Sequence, residues 1–200
     1  MVSIGQRYIL LDPGHGGFDG GAVASDGTLE KHINLDISLQ LRDMLVVCGL
    51  PVEMTRNGDI SLADSESDTI RNKKVSDMHN RLRMYNGAEV VISIHQNHFQ
   101  VPKYHGAQVF YAQNNPDCTI LAQSVQKAIV TYLQPRNTRD IKAATDGIYL
   151  LHHTTSPAVL VECGFLSNPE ELKRLNDPTY RQQMAWSITL GYWKYRLSEE

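Results

Sequence analysis

The sequence has no long apolar run. No stretch of its 200 residues reaches the roughly 18 consecutive apolar positions that span a membrane as a helix. It also lacks a dominant charge. With 19 Lys and Arg against 22 Asp and Glu, the net charge of −3 gives no electrostatic case for nucleic acid or an anionic membrane surface. The only basic cluster, Arg71-Asn72-Lys73-Lys74, is too short to be a nucleic-acid footprint. Three cysteines, Cys48, Cys118 and Cys163, do not make a disulfide framework. Cys48 lies on an apolar helical face and Cys163 after an apolar strand, so both read as small core residues. No Gly-x-Ser-x-Gly elbow occurs, which argues against a serine esterase of the α/β-hydrolase kind. No secretory leader is legible either. Met1-Val2-Ser3-Ile4-Gly5 leads straight into an apolar strand, so the expectation is a cytosolic chain or an export segment lying outside this sequence. Neither an internal repeat nor an interdomain linker breaks the chain, and its length suits one domain over 1–200.

What is present is an alternation of strand and helix patterns. Residues 8–11 read as a first strand. Over 29–48, Ile33, Ile37, Leu41, Leu45 and Cys48 recur at helical spacing, with Thr28 as the expected N-cap and Gly49 as the stop. Residues 51–55 alternate as a second strand. Residues 57–69, rich in Asp, Ser and Gly, read as a long mobile surface loop. A helix is expected over 75–85 and a nearly continuous apolar strand over 89–94, ending at His95. A further strand is expected over 106–112. Residues 118–133 form a helix whose stripe runs through Ile120, Leu121, Val125, Ala128, Ile129 and Tyr132. After a polar segment, 135–147, come short strands at 148–151 and 157–161, the latter ending at Glu162. A short helix from Asn168 and a long closing one over 179–197 complete the pattern. This predicts a single three-layer α/β domain: a mostly parallel sheet of about six strands flanked by about five helices.

In open α/β sheets, ligands bind beyond the carboxyl ends of the strands. His15 follows the first strand inside Asp12-Pro13-Gly14-His15-Gly16-Gly17. His95 and Glu162 end two others, and Glu30 opens the helix after the glycine loop. All four can meet at one rim. Two imidazoles and one carboxylate suffice to hold a catalytic zinc with a fourth position open to water. A further carboxylate beside that water suits a general base. Each residue also has a plainer reading. His15 fits a turn, Glu30 a helix dipole and His95 a half-buried strand end. Glu162 is different, because a carboxylate in such apolar surroundings costs several kcal/mol unless it meets a cation or strong donors. His32, His79, His98, His152 and His153 are expected to point elsewhere. Two other functions stay open at this point: a cysteine hydrolase built on Cys163 with His152 or His95 as base, and a non-catalytic glycan-binding module.

Four co-ordered segments resemble the zinc-dependent N-acetylmuramoyl-L-alanine amidases of the amidase-3 type. They are Leu11-Asp12-Pro13-Gly14-His15-Gly16-Gly17, Glu30-Lys31-His32-Ile33-Asn34-Leu35, Ser93-Ile94-His95-Gln96-Asn97, and the run from Pro157 through Glu162-Cys163-Gly164-Phe165 to Asn168. The resemblance implies that His15, Glu30 and His95 bind zinc and that Glu162 is the catalytic carboxylate. The implied substrate is peptidoglycan, cut between the lactyl group of N-acetylmuramic acid and L-alanine. Asn97 and Ser93 then become candidates for orienting the ligating histidines, and Lys142 for meeting substrate carboxylate or glycan. The glycines are expected to clear a path for bulky substrate. Lys73-Lys74-Val75-Ser76-Asp77-Met78, His98-Phe99 and Pro102-Lys103-Tyr104 resemble the sporulation- and germination-specific subgroup, although a small residue is usual in the wider family where His98 stands. That likeness implies export to the cell wall or forespore intermembrane space. It also implies a role in spore-cortex muramic-δ-lactam formation with a downstream deacetylase, and a lipoprotein activating partner.

Overall fold

A computed structural model describes residues 7–198. Six strands form one sheet: β1 (Ile9–Pro13), β2 (Val52–Met54), β3 (Val90–Asn97), β4 (Gln108–Tyr111), β5 (Lys142–Ala143) and β6 (Ala158–Phe165), in the order β2-β1-β3-β6-β4-β5. The first four strands in that order are mutually parallel. β4 runs antiparallel to β6, and β5 runs parallel to β4. Six helices accompany them: α1 (Glu30–Val47), α2 (Ile70–Tyr85), α3 (Asp117–Tyr132), α4 (Tyr149–His153), α5 (Pro169–Leu175) and α6 (Pro178–Arg196).

Strand alternation divides the core in two. Leu11, Ile92, Ile94, Val159 and Val161 face α1, α3 and α6, where they meet Ile37, Val125 and Ile188. Leu10, Val91, Ala158 and Leu160 face the other way, toward Tyr85 of α2 and Leu150 and Leu151 of α4. Both faces are covered, which is why the central strands read as unbroken apolar runs.

Several local expectations are corrected. Residues 149–151 belong to helix α4, with Ile148 as its N-cap, rather than to a strand. A short apolar run is ambiguous by periodicity, and here the sheet edge is taken by β5, two residues inside the segment expected to be only polar loop. The N-cap of α1 is Leu29, with no side-chain cap, rather than Thr28. Gly49 does end the helix, at φ +81°. Cys48 is exposed instead of buried, and Ile120 and Tyr132 lie off the buried stripe of α3, at 42% and 52% exposure. α2 begins at Ile70, where Thr69 Oγ1 caps the Asn72 amide. The 57–69 segment is not loose. Asp77 accepts from the Leu62 amide at 2.7 Å and from Ser61 Oγ at 3.1 Å, and the Asp64 amide donates to Ser76 Oγ at 2.9 Å.

Candidate active site

Stepping two residues at a time from the α2/α4 face of the sheet leads from Leu10 to Asp12, from Val91 through Ser93 to His95, and from Leu160 to Glu162. These residues lie in register: Asp12 pairs with Ser93, His95 with Glu162, and Glu162 with Gln108. A polar row therefore crosses the carboxyl end of the sheet on one face. β3 and β6 both run past the ends expected for them, so His95 and Glu162 sit within strands and their directions are set by the pleat.

Glu30 reaches this row from the first turn of α1. Its Oε2 accepts from the Ala22 amide at 2.9 Å, and its Oε1 from the Gln96 amide at 3.0 Å and Asn34 Nδ2 at 3.2 Å. With its backbone-facing lone pairs used this way, the carboxylate still lies 3.2 Å from His15 Nε2 and 3.0 Å from His95 Nδ1. His15 arrives by a left-handed backbone at φ 63°, an uncommon conformation for a residue with a Cβ. Asp19 Oδ2 fixes its ring from behind, 3.0 Å from Nδ1.

Two glycines are required by close approach. A Cβ on Gly14 would lie 2.2 Å from the His95 ring, and one on Gly21, which has φ +68°, would lie 2.6 Å from Glu30 Oε2. Gly16 also meets a packing requirement. A Cβ there would strike the Ile60 carbonyl oxygen at 2.3 Å, so the glycine lets the loop pack inward on 56–61.

Buried cations hold the loop in shape. Arg56 donates to the carbonyls of Pro13, Gly14 and Lys31, each at 2.9 Å. Arg81 donates to the carbonyls of Pro13 at 3.0 Å and His15 at 2.7 Å, and it pairs with Asp12. Asp12 also accepts from Thr55 at 2.7 Å, Tyr85 at 2.5 Å and Ser93 at 2.9 Å. Burial alone would raise the Asp12 pKa, but Arg81 and these hydroxyls overcome it and hold the carboxyl well below its usual range. None of Asp12, Asp19, Arg56 and Arg81 stood out in the sequence as a site residue.

The electrostatics separate the acidic groups. Burial opposes the charge of Glu30, yet the two imidazoles hold its pKa far below normal. His15, despite burial, is held above its usual range by Asp19 and Glu30. Glu162 goes the other way. Burial pushes it up to about 7, the Glu30 charge adds to this, and the imidazoles only partly offset it. Its Oε2 is buried with no hydrogen-bond partner among the described residues.

His15, His95 and Glu162 line a cavity of about 300 Å³, walled by Met78 of α2 and by Tyr149 and Leu151 of α4, while Glu30 lies against the two imidazoles outside its wall. A larger cleft of about 560 Å³, between the ends of α3, α5 and α6, contains none of them. One donor atom each from His15, Glu30 and His95 lies within 4.8 Å of the others, close enough to share one ion. Ser93 is in the cavity wall but bonds Asp12 rather than an imidazole. Asn97 lies at the far end of β3, outside that wall, where its carbonyl accepts from the Leu166 amide. Lys142 is exposed on β5. His98 is exposed beyond β3, and His32, His79, His152 and His153 are exposed on helices, all outside the cluster.

Residues 9–192 match the family described as N-acetylmuramoyl-L-alanine amidase. The chain belongs to that family. The germination-specific N-acetylmuramoyl-L-alanine amidase of Bacillus subtilis is 38% identical over 196 residues, 97% of this chain and 81% of that protein. The CwlD amidase of Clostridioides difficile, solved in complex with the GerS lipoprotein, superposes with a TM-score of 0.92 at 41% identity, covering 98% of this chain and 100% of that one. An N-acetylmuramoyl-L-alanine amidase of Clostridium difficile 630 gives 0.83 at 28% identity, with 97% and 98% covered. The amidase is thus a peptidoglycan hydrolase akin to the CwlD, germination-specific members.

Geometry also disfavours a thiol mechanism for this amidase. Cys163 alternates with Glu162 and faces α1 and α6, away from His95. Burial pushes its pKa far up, so a nucleophilic thiolate does not form there.

Proposed function

We propose that the amidase uses zinc held by His15, Glu30 and His95 to cut the amide between N-acetylmuramic acid and L-alanine, with Glu162 moving the protons. The observation that carries this reading is the buried, unpartnered Oε2 of Glu162 beside a two-histidine, one-carboxylate cluster. That donor set suits zinc, and a buried carboxylate oxygen without a donor suits a site that a polarised water completes. When bound, zinc supplies Lewis acidity, polarising the scissile carbonyl and lowering the pKa of water toward about 7.

The rest of the work falls to the chain. Asp19 holds the His15 ring in place, and Glu30 is fixed by the Ala22 and Gln96 amides, so neither reorganises during the reaction. Glu162 accepts the proton of the attacking water and returns it to the departing L-alanine nitrogen. Burial raises its pKa in the metal-free protein, and a carboxyl held against its charge by apolar surroundings suits a group that both takes and returns a proton. The apolar wall of Leu151, Leu160 and Met78 keeps bulk water from solvating it.

The similarity to germination-specific relatives supports a substrate in spore cortex, with cleavage preparing muramic acid for the deacetylation that closes a δ-lactam. Such a substrate requires export, and among the described residues no helix is long and apolar enough to cross a membrane. The lipoprotein complex of the similar structure supports an activating lipoprotein partner here as well.

Zinc per chain, read by native mass spectrometry, and muropeptide products test this together. The expected result is one zinc per wild-type chain and products with a free L-alanine amine, with both lost in His15→Ala and His95→Ala. Cleavage that survives complete chelation would contradict the proposal.

A further inference from the structure

Outside the catalytic cavity, the connection from β3 to β4 presents an aromatic surface with no part in the chemistry above. Phe99 and Tyr104 are 47% and 39% exposed, and Val101 beside them is 47% exposed. The rings are nonetheless fixed. They meet edge to face at 5.2 Å, and both rest on buried Phe165, at 5.5 and 6.3 Å. The Arg139 guanidinium lies over Phe165 at 4.6 Å. The Phe99 amide donates to Ser167 Oγ at 3.1 Å, and Asn168 Nδ2 donates to the Pro102 carbonyl at 2.9 Å. A rigid, contiguous apolar patch held in water marks a contact surface.

The patch is joined to the catalytic row. Phe99 lies four residues beyond His95, and Phe165 lies three residues beyond Glu162, about 10 Å along the strand. Gln108 is paired in register with Glu162, and its Oε1 accepts from Arg139 Nη1 at 3.2 Å. Gln108 and Arg139 thus connect the base to the aromatic surface.

The scissile amide is a branch point, so two chains leave the reacting centre: a stem peptide and a glycan strand. One groove continuous with the cavity runs between α2 and α4, lined by Lys74, Val75, Met78, His79 and Tyr149, and shares Met78 and Tyr149 with it. The aromatic surface is open, and beside Tyr104 the residues Lys103, His105, Asn137, Thr138 and Arg139 edge a depression of about 150 Å³ with hydrogen-bonding groups. A pyranose ring presents a flat C–H face that packs on an aromatic ring while its hydroxyls stay in water.

We propose that Phe99 and Tyr104 form the platform on which the glycan strand of peptidoglycan lies while its lactyl amide reaches Glu162. This rests on the amidase reading above and assigns the sugar-binding part of the same site.

Two measurements on Tyr104→Ala, Phe99→Ala and the double variant test it. The first is KM and kcat on glycan strands of increasing length, against a single N-acetylmuramoyl-L-alanyl-D-isoglutamine unit. For wild type, KM falls as the glycan lengthens. In the double variant that dependence disappears, with KM on long strands raised about tenfold, equivalent to about 1.4 kcal/mol, and kcat/KM on the single unit unchanged. Tyr104→Phe keeps the ring and behaves as wild type. The second measurement is calorimetric binding of peptide-free N-acetylglucosamine–N-acetylmuramic acid oligosaccharides, which needs no turnover. Wild type binds them and the double variant does not. If wild type binds them but cleaves nothing, the amidase reading fails and the platform stands. Equal KM on long strands in wild type and double variant would overturn the proposal, as would equal losses on long and single-unit substrates. It would also be overturned if the double variant kept glycan affinity and lost only stimulation by a lipoprotein partner.

Discussion

At the scale of single residues, the site depends on charges buried with their partners. Asp12 is fully enclosed with Arg81, Thr55, Tyr85 and Ser93, and through Arg81 it sets the carbonyls of Pro13 and His15. Asp12→Asn leaves the buried Arg81 guanidinium with Asp77 as its remaining carboxylate, 2.6 Å away, so a loss of about 1–3 kcal/mol is expected in urea unfolding at pH 7. The pH dependence has a definite sign. The folded pKa of Asp12 lies below its unfolded value of about 3.9, so the pair's contribution is fully present above about pH 4. It is lost as pH falls through the folded value, and Asp12→Asn should flatten that acid limb. Glu162 has the opposite sign. Its folded pKa of about 7 exceeds the unfolded value, so in metal-free protein it lowers stability as pH rises from about 4.5 to 7. Metal-free Glu162→Gln should therefore be more stable than wild type at pH 8, by about 1–3 kcal/mol in thermal or urea unfolding. Equal stability there would mean that the carboxyl is not held against its own charge. Gly14 gives a third residue-scale test. Gly14→Ala puts a methyl into the His95 ring, so a folded protein with reduced zinc content is expected by circular dichroism and native mass spectrometry.

At the scale of elements, legibility tracked how local the signal was. The long helices α1 and α6 and the strand β3 announced themselves by period and burial, and so did the polar residues ending β1, β3 and β6. The sequence singles out His15, Glu30, His95 and Glu162 because each follows an apolar run or opens a helix at the carboxyl end of the sheet, and the structure brings the four together. Asp19, Arg56 and Arg81 were not legible. Arg81 reaches Asp12 across 69 positions and Arg56 reaches Pro13 across 43, and such contacts leave no periodic trace. α4 was misread because Ile148-Tyr149-Leu150-Leu151 is too short for period to separate strand from helix. The correction matters for the site, because α4 walls the cavity with Tyr149 and Leu151. Leu151 is 1% exposed, and Leu151→Ala should cost about 2–5 kcal/mol in urea unfolding. It should also open the Glu162 environment to water, reducing kcat more than it raises KM.

At the scale of the whole molecule, the sheet assigns a function to each face. The α1/α3/α6 side holds the larger apolar core and takes Cys163 out of the chemistry. The α2/α4 side ends in the polar row where Glu30 meets the two histidines and Glu162. The antiparallel entry of β4 brings Gln108 beside Glu162 and carries Arg139 and the aromatic surface to the same rim. Fold and chemistry are therefore coupled through the carboxyl ends of β1, β3 and β6, where four segments distant in sequence converge.

The division of labour at that convergence is tested most directly by Glu162→Gln assayed for two quantities in one preparation: zinc per chain and single-turnover release of stem peptide. The expected result is one zinc per chain, unchanged from wild type, with release slowed by about 10²–10⁴-fold, the range for removing a general acid–base group. Release near the wild-type rate with zinc retained would contradict the assignment of Glu162. Loss of zinc along with activity would place Glu162 among the ligands instead.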